Sequence, residues 1–267
     1  MNITAIKDLF SKIRDQHPLV HHLTNTVTIN DCANATLAIG GSPVMATSLD
    51  EVEDMVNLAD ALVINFGTID NLTYEAMVIA GQAANKKGIP VVFDPVGVGA
   101  TRFRSERAND FLKNVNVSIV RGNATEVYAL IGGKAQTRGV DAGELSLSKE
   151  ELALKASQQL QAITVISGEH DAISNGEKCI QIANGDIWLT RVTGTGCMTA
   201  SLIACFAGLT DDLFSAAIAG MSVMSLSGER AKKALHENDG IGTFRIKLMD
   251  EIFQMDEHIW EKGVRFV

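Results

Sequence analysis

Gly194-Thr195-Gly196-Cys197 is the stretch of this sequence with the clearest capacity for chemistry. It joins an apparent strand to a helix of small and apolar residues. Its glycines let backbone N–H groups converge on one point, and the helix amino terminus adds partial positive charge there. Such a turn can hold an anion, or the negative charge that develops in a transition state. The same glycines would also serve a plain tight connection from strand to helix, so the surrounding residues must decide. Two rival phosphate motifs fail. Gly133-Lys134 is followed by Ala135, with Tyr128 where a Walker A loop has its first glycine, and Gly194-x-Gly196 has Thr199 where a dinucleotide fingerprint needs its third. A P-loop NTPase and a dehydrogenase are both disfavoured.

Two acids accompany the cradle. Asp94-Pro95-Val96-Gly97 closes one buried strand, and Arg121-Gly122-Asn123-Ala124-Thr125-Glu126 follows another and opens a helix. Mg²⁺ keeps most of its waters and uses one or two carboxylates plus substrate phosphates, which Asp94 and Glu126 could supply. Arg121 would offer a phosphate its bidentate fork. Taken singly, Glu126 could be a first-turn helix acid and Asp94 a loop cap.

These residues need a scaffold that brings them to one edge, and the hydrophobic pattern describes one. The runs Ala61–Phe66, Ile89–Asp94, Val117–Arg121 and Ile163–Ser167 are short, β-rich and apolar, and stretches of helical period lie between them. They read as successive βα units on a mostly parallel sheet, whose carboxyl ends are where such sheets bind ligands. Ser48-Leu49-Asp50-Glu51 has capping-box spacing, and Asn71 to Lys87 reads as a helix stopped by Gly88. A hairpin is expected to turn at Asn175-Gly176 and form an antiparallel edge. Helices are expected over Gly196 to Gly208, Asp211 to about Leu235 and Phe244 to about Trp260. An exposed loop is expected over Lys134 to Lys149.

Composition bounds the rest. A chain of 267 residues with 46% hydrophobic content fits one large α/β domain over 1–267, and a formal charge of -9 disfavours a nucleic-acid partner. No apolar run approaches a membrane span, and the first residues lack the pattern of a signal peptide, so a cytoplasmic protein with no membrane association is expected. Cys32, Cys179, Cys197 and Cys205 form no CxxC pair, which suits a reducing compartment.

The order Asp-Pro at one strand end, Asn-x-x-Glu at the next and Gly-Thr-Gly before a late helix resembles the ribokinase-like superfamily of small-molecule kinases. Within it, Leu23-Thr24-Asn25-Thr26-Val27-Thr28, Gly41-Ser42-Pro43-Val44-Met45 and the closing Gly240-Ile241-Gly242-Thr243-Phe244 look like the hydroxyethylthiazole kinase family. The resemblance implies a three-layer α/β fold, with a mostly parallel central sheet flanked by helices. It implies ATP- and Mg²⁺-dependent phosphorylation of a thiazole alcohol for thiamine salvage, and a homotrimer with the substrate pocket between subunits. Asn25, Val27, Met45, Gly67 and Gly194 would bind the alcohol, although Met45 alone would pass for a core methionine. Arg121, Ser167 and Gly168 would bind ATP, Asp94 and Glu126 would hold Mg²⁺, and Gly194, Thr195, Gly196 and Cys197 would carry the catalysis.

Cys197 departs from the superfamily, most of which carries an aspartate base there, although some thiazole kinases look like this chain. A helix amino terminus can lower a thiol pKa, yet phosphoryl transfer depends mostly on positioning and electrostatics, so Cys197 is expected to be a poor base. His21 and His22 are adjacent on a strand and face opposite ways, which makes a structural role the expectation. The rivals are a kinase for a hydroxymethylpyrimidine or pyridoxal, an ATP-dependent dehydratase of hydrated nicotinamide nucleotides, and a nucleotide-binding protein without turnover.

Overall fold

Alternation along the strands decides the layering. In β3 (Ala61–Asn65) every residue is buried, with Ala61 and Val63 facing one hydrophobic cluster and Leu62 and Ile64 the other. A strand apolar on both faces must be covered on both, and each large side chain withdrawn from water contributes about 1.5–3 kcal/mol. The computed structural model describes residues 2–133 and 147–267. Over these residues the sheet has eight strands, ordered β2-β1-β3-β4-β5-β6-β7-β8. They are β1 (Leu19–Leu23), β2 (Ser42–Val44), β3, β4 (Val91–Asp94), β5 (Ile119–Asn123), β6 (Ile163–Ser167), β7 (Asp171–Ser174) and β8 (Cys179–Ile182). β1 to β6 pair in parallel, and β7 and β8 are antiparallel.

One face is covered by α1 (Ile3–Gln16), α2 (Ile29–Ile39), α8 (Thr195–Ala207), α9 (Leu213–Lys233), α10 (Ile241–Gln254) and α11 (Glu257–Gly263). The other is covered by α3 (Val52–Leu58), α4 (Asn71–Lys87), α5 (Arg102–Asn114), α6 (Ala124–Leu130) and α7 (Lys149–Leu160). This is the three-layer arrangement expected. In α8 every residue from Met198 to Ala207 is buried, so it is an internal helix and its first turn is fixed by packing on all sides.

Several local expectations hold. α4 ends at Gly88, whose φ is 84°, and β7 and β8 form the hairpin through Gly176, whose φ is 87°. Others need correction. Ser48 builds no capping box. Its hydroxyl accepts from Asp50 N at 3.3 Å, and α3 begins only at Val52 with no side-chain cap. The last helix is two, because Asp256 accepts from Ile259 N at 2.7 Å and starts α11 afresh. Of the loop expected over Lys134 to Lys149, residues 134–146 lie outside the described residues, and Lys149 begins α7.

Candidate active site

Three adjacent strand ends bring an asparagine, an acid and the cradle together. Asn65 and Asp94 end β3 and β4 in direct register, and Asn25 follows β1 on the other side of β3. The Asn65 amide donates to Asp94 Oδ2 at 2.7 Å and to Cys197 Sγ at 3.3 Å. The Asn25 amide donates to Asn65 Oδ1 at 3.0 Å and to the same Sγ at 3.3 Å. Asn25 Oδ1 accepts from Val27 N, Thr28 N and Thr28 Oγ1 at 3.0 to 3.1 Å. Asn25 is thus saturated by the protein: it holds the Val27–Thr28 turn and the thiol in place, and presents an apolar edge rather than a polar anchor.

Opposing effects act on Cys197. Two amide donors favour a thiolate, but burial and then the nearby Asp94 carboxyl dominate and push the thiol above its ordinary range. It therefore stays protonated near neutrality. Burial also raises Asp94, with Arg121 opposing, and Asp94 Oδ1 is buried without a hydrogen-bond partner.

The cradle is built as its sequence suggested. Gly194 precedes α8 with φ 88°, and a Cβ there would lie 2.6 Å from Thr28 Cγ2. A Cβ on Gly196 would lie 2.3 Å from Arg121 Nη1, so the guanidinium rests against the turn. No side chain caps α8, which leaves its first N–H groups open to a ligand. Thr195 Oγ1 donates to Leu189 O at 3.1 Å and anchors the turn to the 3₁₀ helix Ile187–Arg191.

Arg121, Ser167, Gly168, Thr195 and Gly196 line one cavity of about 720 Å³. That falls within the range of cofactor sites. Arg121 donates to Ser167 Oγ at 2.9 Å, while its Nε is buried and unpartnered. The three residues expected to bind ATP thus share a chamber with the cradle.

Glu126 sits on the other side of Asp94's loop. Its Oε2 accepts from Asn123 N and its Oε1 from Gly97 N, both at 2.9 Å, while Asn123 Oδ1 accepts from Glu126 N. It is a first-turn helix acid, as its position allowed, and it also completes a capping box with Asn123. The donor set fits Mg²⁺. Asp94 offers an oxygen with no hydrogen bond, 3.9 Å from Arg121 Nη1, Glu126 keeps a lone pair on each of its oxygens, and such an ion needs only one or two carboxylates beside phosphates and water. Among the described residues no three His, Cys, Asp or Glu side chains form a metal cage.

The residues expected to bind the alcohol lie in a more open region. Val27 is 64% exposed, Met45 packs partly buried against the core, and Gly67 N donates to Asn65 Oδ1 at 2.8 Å. A Cβ on Gly67 would meet Asn25 Cβ at 2.6 Å. The histidines are structural, as expected. His21 Nε2 bonds to Ala46 O at 2.7 Å, and His22 bonds to Val20 O and Ser201 Oγ, each at 3.0 Å, with burial lowering it to about 4.

Sequence reasoning did not single out Asn65, although it ends one of the four apolar runs and the strand-end rule would have found it. It also missed Asp171, a cavity-lining carboxyl held by Ser225 Oγ at 2.6 Å and raised by burial to about 6. An acid opening an edge hairpin carries no sequence signal of burial.

Comparison with known proteins follows the same lines. The model of the hydroxyethylthiazole kinase family matches residues 10–258. Hydroxyethylthiazole kinase of Ruminiclostridium cellulolyticum is 43% identical, over 97% of this chain and 96% of its own length. The solved structure of a hydroxyethylthiazole kinase protein from Pyrococcus horikoshii superposes with a TM-score of 0.88 at 36% identity, over 99% of both chains. A ribokinase-like superfamily protein from Enterococcus faecalis shares the fold, with a TM-score of 0.66 at 13% identity over 94% of this chain and 95% of its own.

Proposed function

This chain belongs to the hydroxyethylthiazole kinase family, and from that premise we propose that it transfers the γ-phosphoryl group of MgATP to the hydroxyl of 4-methyl-5-(2-hydroxyethyl)thiazole. The product is the thiazole phosphate used in thiamine salvage and biosynthesis. One observation carries this reading: Arg121, Ser167 and the uncapped start of α8 line a single cavity, and Cys197 follows the cradle, held by two amides.

In this reading Arg121 and Ser167 hold the donor's phosphates, and Gly168 forms the adjoining wall. The N–H groups of Thr195, Gly196 and Cys197 receive the charge that develops on the transferring group. Asp94 and Glu126 would hold Mg²⁺, which would supply positive charge to the donor phosphates. The hydroxyl oxygen forms its bond to the γ-phosphorus as the bond to the bridging oxygen breaks and ADP departs, and the hydroxyl proton passes to an oxygen of the transferred phosphoryl group and from there to water. In a loose transition state the hydroxyl loses its proton late, so a thiol held protonated by burial suffices to orient it. Met45, Val27, Gly67 and Gly194 form the wall for the neutral heterocycle, and Asn25 sets its shape.

Val27's exposure supports a homotrimer in which a neighbouring subunit closes the acceptor pocket. Light scattering at micromolar concentration should give a trimer mass, and a monomer would overturn that assignment. The four free cysteines support a cytoplasmic enzyme. The reaction is tested by ADP release with MgATP and hydroxyethylthiazole, hydroxymethylpyrimidine, pyridoxal or ribose. Acceleration by hydroxyethylthiazole alone, lost without Mg²⁺, is expected. ATP binding with no turnover on any alcohol would sink the assignment.

A further inference from the structure

We propose that Arg104 is a positioning residue for phosphoryl transfer, setting the orientation of the Phe66–Gly67 peptide and, through it, of Asn65 against Asp94 and Cys197. Arg104 stands on α5, outside the cavity, and the hydrogen bonds of its guanidinium go to backbone carbonyls. Nη1 donates to Phe66 O and to Val96 O, the latter at 2.8 Å, and Nη2 donates to Gly67 O at 2.8 Å. These carbonyls belong to the loops that follow β3 and β4, so one guanidinium joins the strand ends that carry Asn65 and Asp94. A planar fork with five donors can span such carbonyls at fixed angles, whereas an ammonium cannot hold all of them in plane. The backbone makes room for it: Gly97 has φ 74°, and a Cβ there would lie 3.1 Å from Arg104 Cδ.

The Phe66–Gly67 peptide is gripped from both sides. Its C=O accepts from Arg104 and its N–H donates to Asn65 Oδ1 at 2.8 Å, and in a trans peptide these groups point in opposite directions. Below it the Phe66 ring is anchored edge-on to Phe93, with centroids 4.8 Å apart. Removing Arg104 leaves the Phe66 carbonyl with only a long hydrogen bond, from Ile69 N at 3.4 Å, while Gly67 N still donates to Asn65. Asn65 Oδ1 keeps the Asn25 amide as a donor but loses the fixed direction of the Gly67 N–H, so the amide that bonds Asp94 Oδ2 and Cys197 Sγ is held less tightly in its plane. Gly67, packed against Asn25, shifts with it.

The proposal rests on the thiazole-kinase reading for its kinetic test, so a second readout is independent of turnover. In the full chain, Arg104→Ala should raise KM for hydroxyethylthiazole about tenfold or more and lower kcat, because sub-ångström misplacement is costly in phosphoryl transfer, while ATP affinity by calorimetry stays within about twofold. Free guanidinium at tens of millimolar should restore part of the loss, which a merely structural defect would not permit. Alkylation of Cys197 by iodoacetamide, followed by peptide mass spectrometry against Cys179 as internal reference, should accelerate severalfold in the variant and slow again with guanidinium. Arg107→Ala, on the same helix but packed on Tyr74, should leave every readout unchanged. If Arg104→Ala does not fold, Arg104→Lys should show the same split. A variant with wild-type KM and a wild-type Cys197 rate, or an equal loss of ATP affinity with no rescue, overturns the proposal. If the wild type is inert on hydroxyethylthiazole the substrate reading fails, and the alkylation ratio alone then decides for or against Arg104.

Discussion

Two helices begin at the carboxyl edge of the sheet on either side of Arg121 and use their first turns in opposite ways. α6 is closed: Asn123 and Glu126 exchange hydrogen bonds at 2.9 Å, and the spare oxygen of Glu126 holds Gly97 N. α8 is open: its N-cap is a glycine without a side chain, and Gly196 leaves room for a guanidinium rather than a methyl group. A closed start stabilises the fold. An open start is less stable by itself but suited to an anion, because its N–H groups have no side-chain cap and the helix dipole favours negative charge there. One edge therefore carries both devices, and the difference lies in which side chains stand at the N-cap and N3.

The sharpest way to break the contrast is to fill the open start. Gly196→Ala should lower kcat/KM by about 10²- to 10³-fold with little change in melting temperature, since the methyl group displaces Arg121 from the cradle without entering the core. Equal activity would mean that the cradle does not bind the transferring group. Cys197→Ala should cost less, below the roughly 10²-fold minimum of a general base. A loss near 10⁴-fold, or one exceeding that of Gly194→Pro, would make the thiol a base.

The closed start can be dissected more gently. Glu126→Ala should destabilise the fold by about 0.5–2 kcal/mol through the lost cap, measured by denaturant titration. Glu126→Gln keeps a capping-competent side chain without its charge. Its single oxygen can accept from Asn123 N but its NH2 cannot accept from Gly97 N, so it should recover only part of the stability lost in Glu126→Ala while raising the Mg²⁺ concentration needed for half-maximal rate. A matching fall in stability for both variants, with no Mg²⁺ effect, would reduce Glu126 to a cap.

The smallest effect concerns pH. Burial raises the folded-state pKa of Asp94 above its unfolded value, so the folded state binds the proton more tightly. Stability from this group is present below the unfolded pKa and lost as pH rises through the folded one. Asp171, raised to about 6 by burial, acts in the same sense. Between pH 5 and 8, without Mg²⁺ or nucleotide, the wild type should lose more melting temperature than Asp94→Asn, although the variant is catalytically impaired. Identical pH profiles would remove Asp94 as a source of that slope.

Much of this was legible in the chain. The four apolar runs became β3 to β6, and Gly194, Thr195 and Gly196 opened α8 as their spacing suggested. Glu126 was legible as a first-turn helix acid but not as half of a capping box, whereas the capping-box spacing at Ser48 to Glu51 was misleading, because Ser48's hydroxyl closes a local turn and the helix starts later. The break at Asp256 was missed because helical periodicity continues across it and only the cap geometry separates α10 from α11.

Local chemistry, then, belongs to the sequence alone: which segments are strands and helices, where glycine frees backbone donors, and which acids and arginine could meet a phosphate. Hydrophobic period and turn preference act over a few residues and survive any rearrangement of the whole. Strand order does not. That β3 lies between β1 and β4, so that Asn25, Asn65 and Asp94 become neighbours around one thiol, was decided by the tertiary structure. So was the reach of Arg104 across two loops, because hydrogen bonds between residues tens of positions apart depend on how the strands are laid side by side.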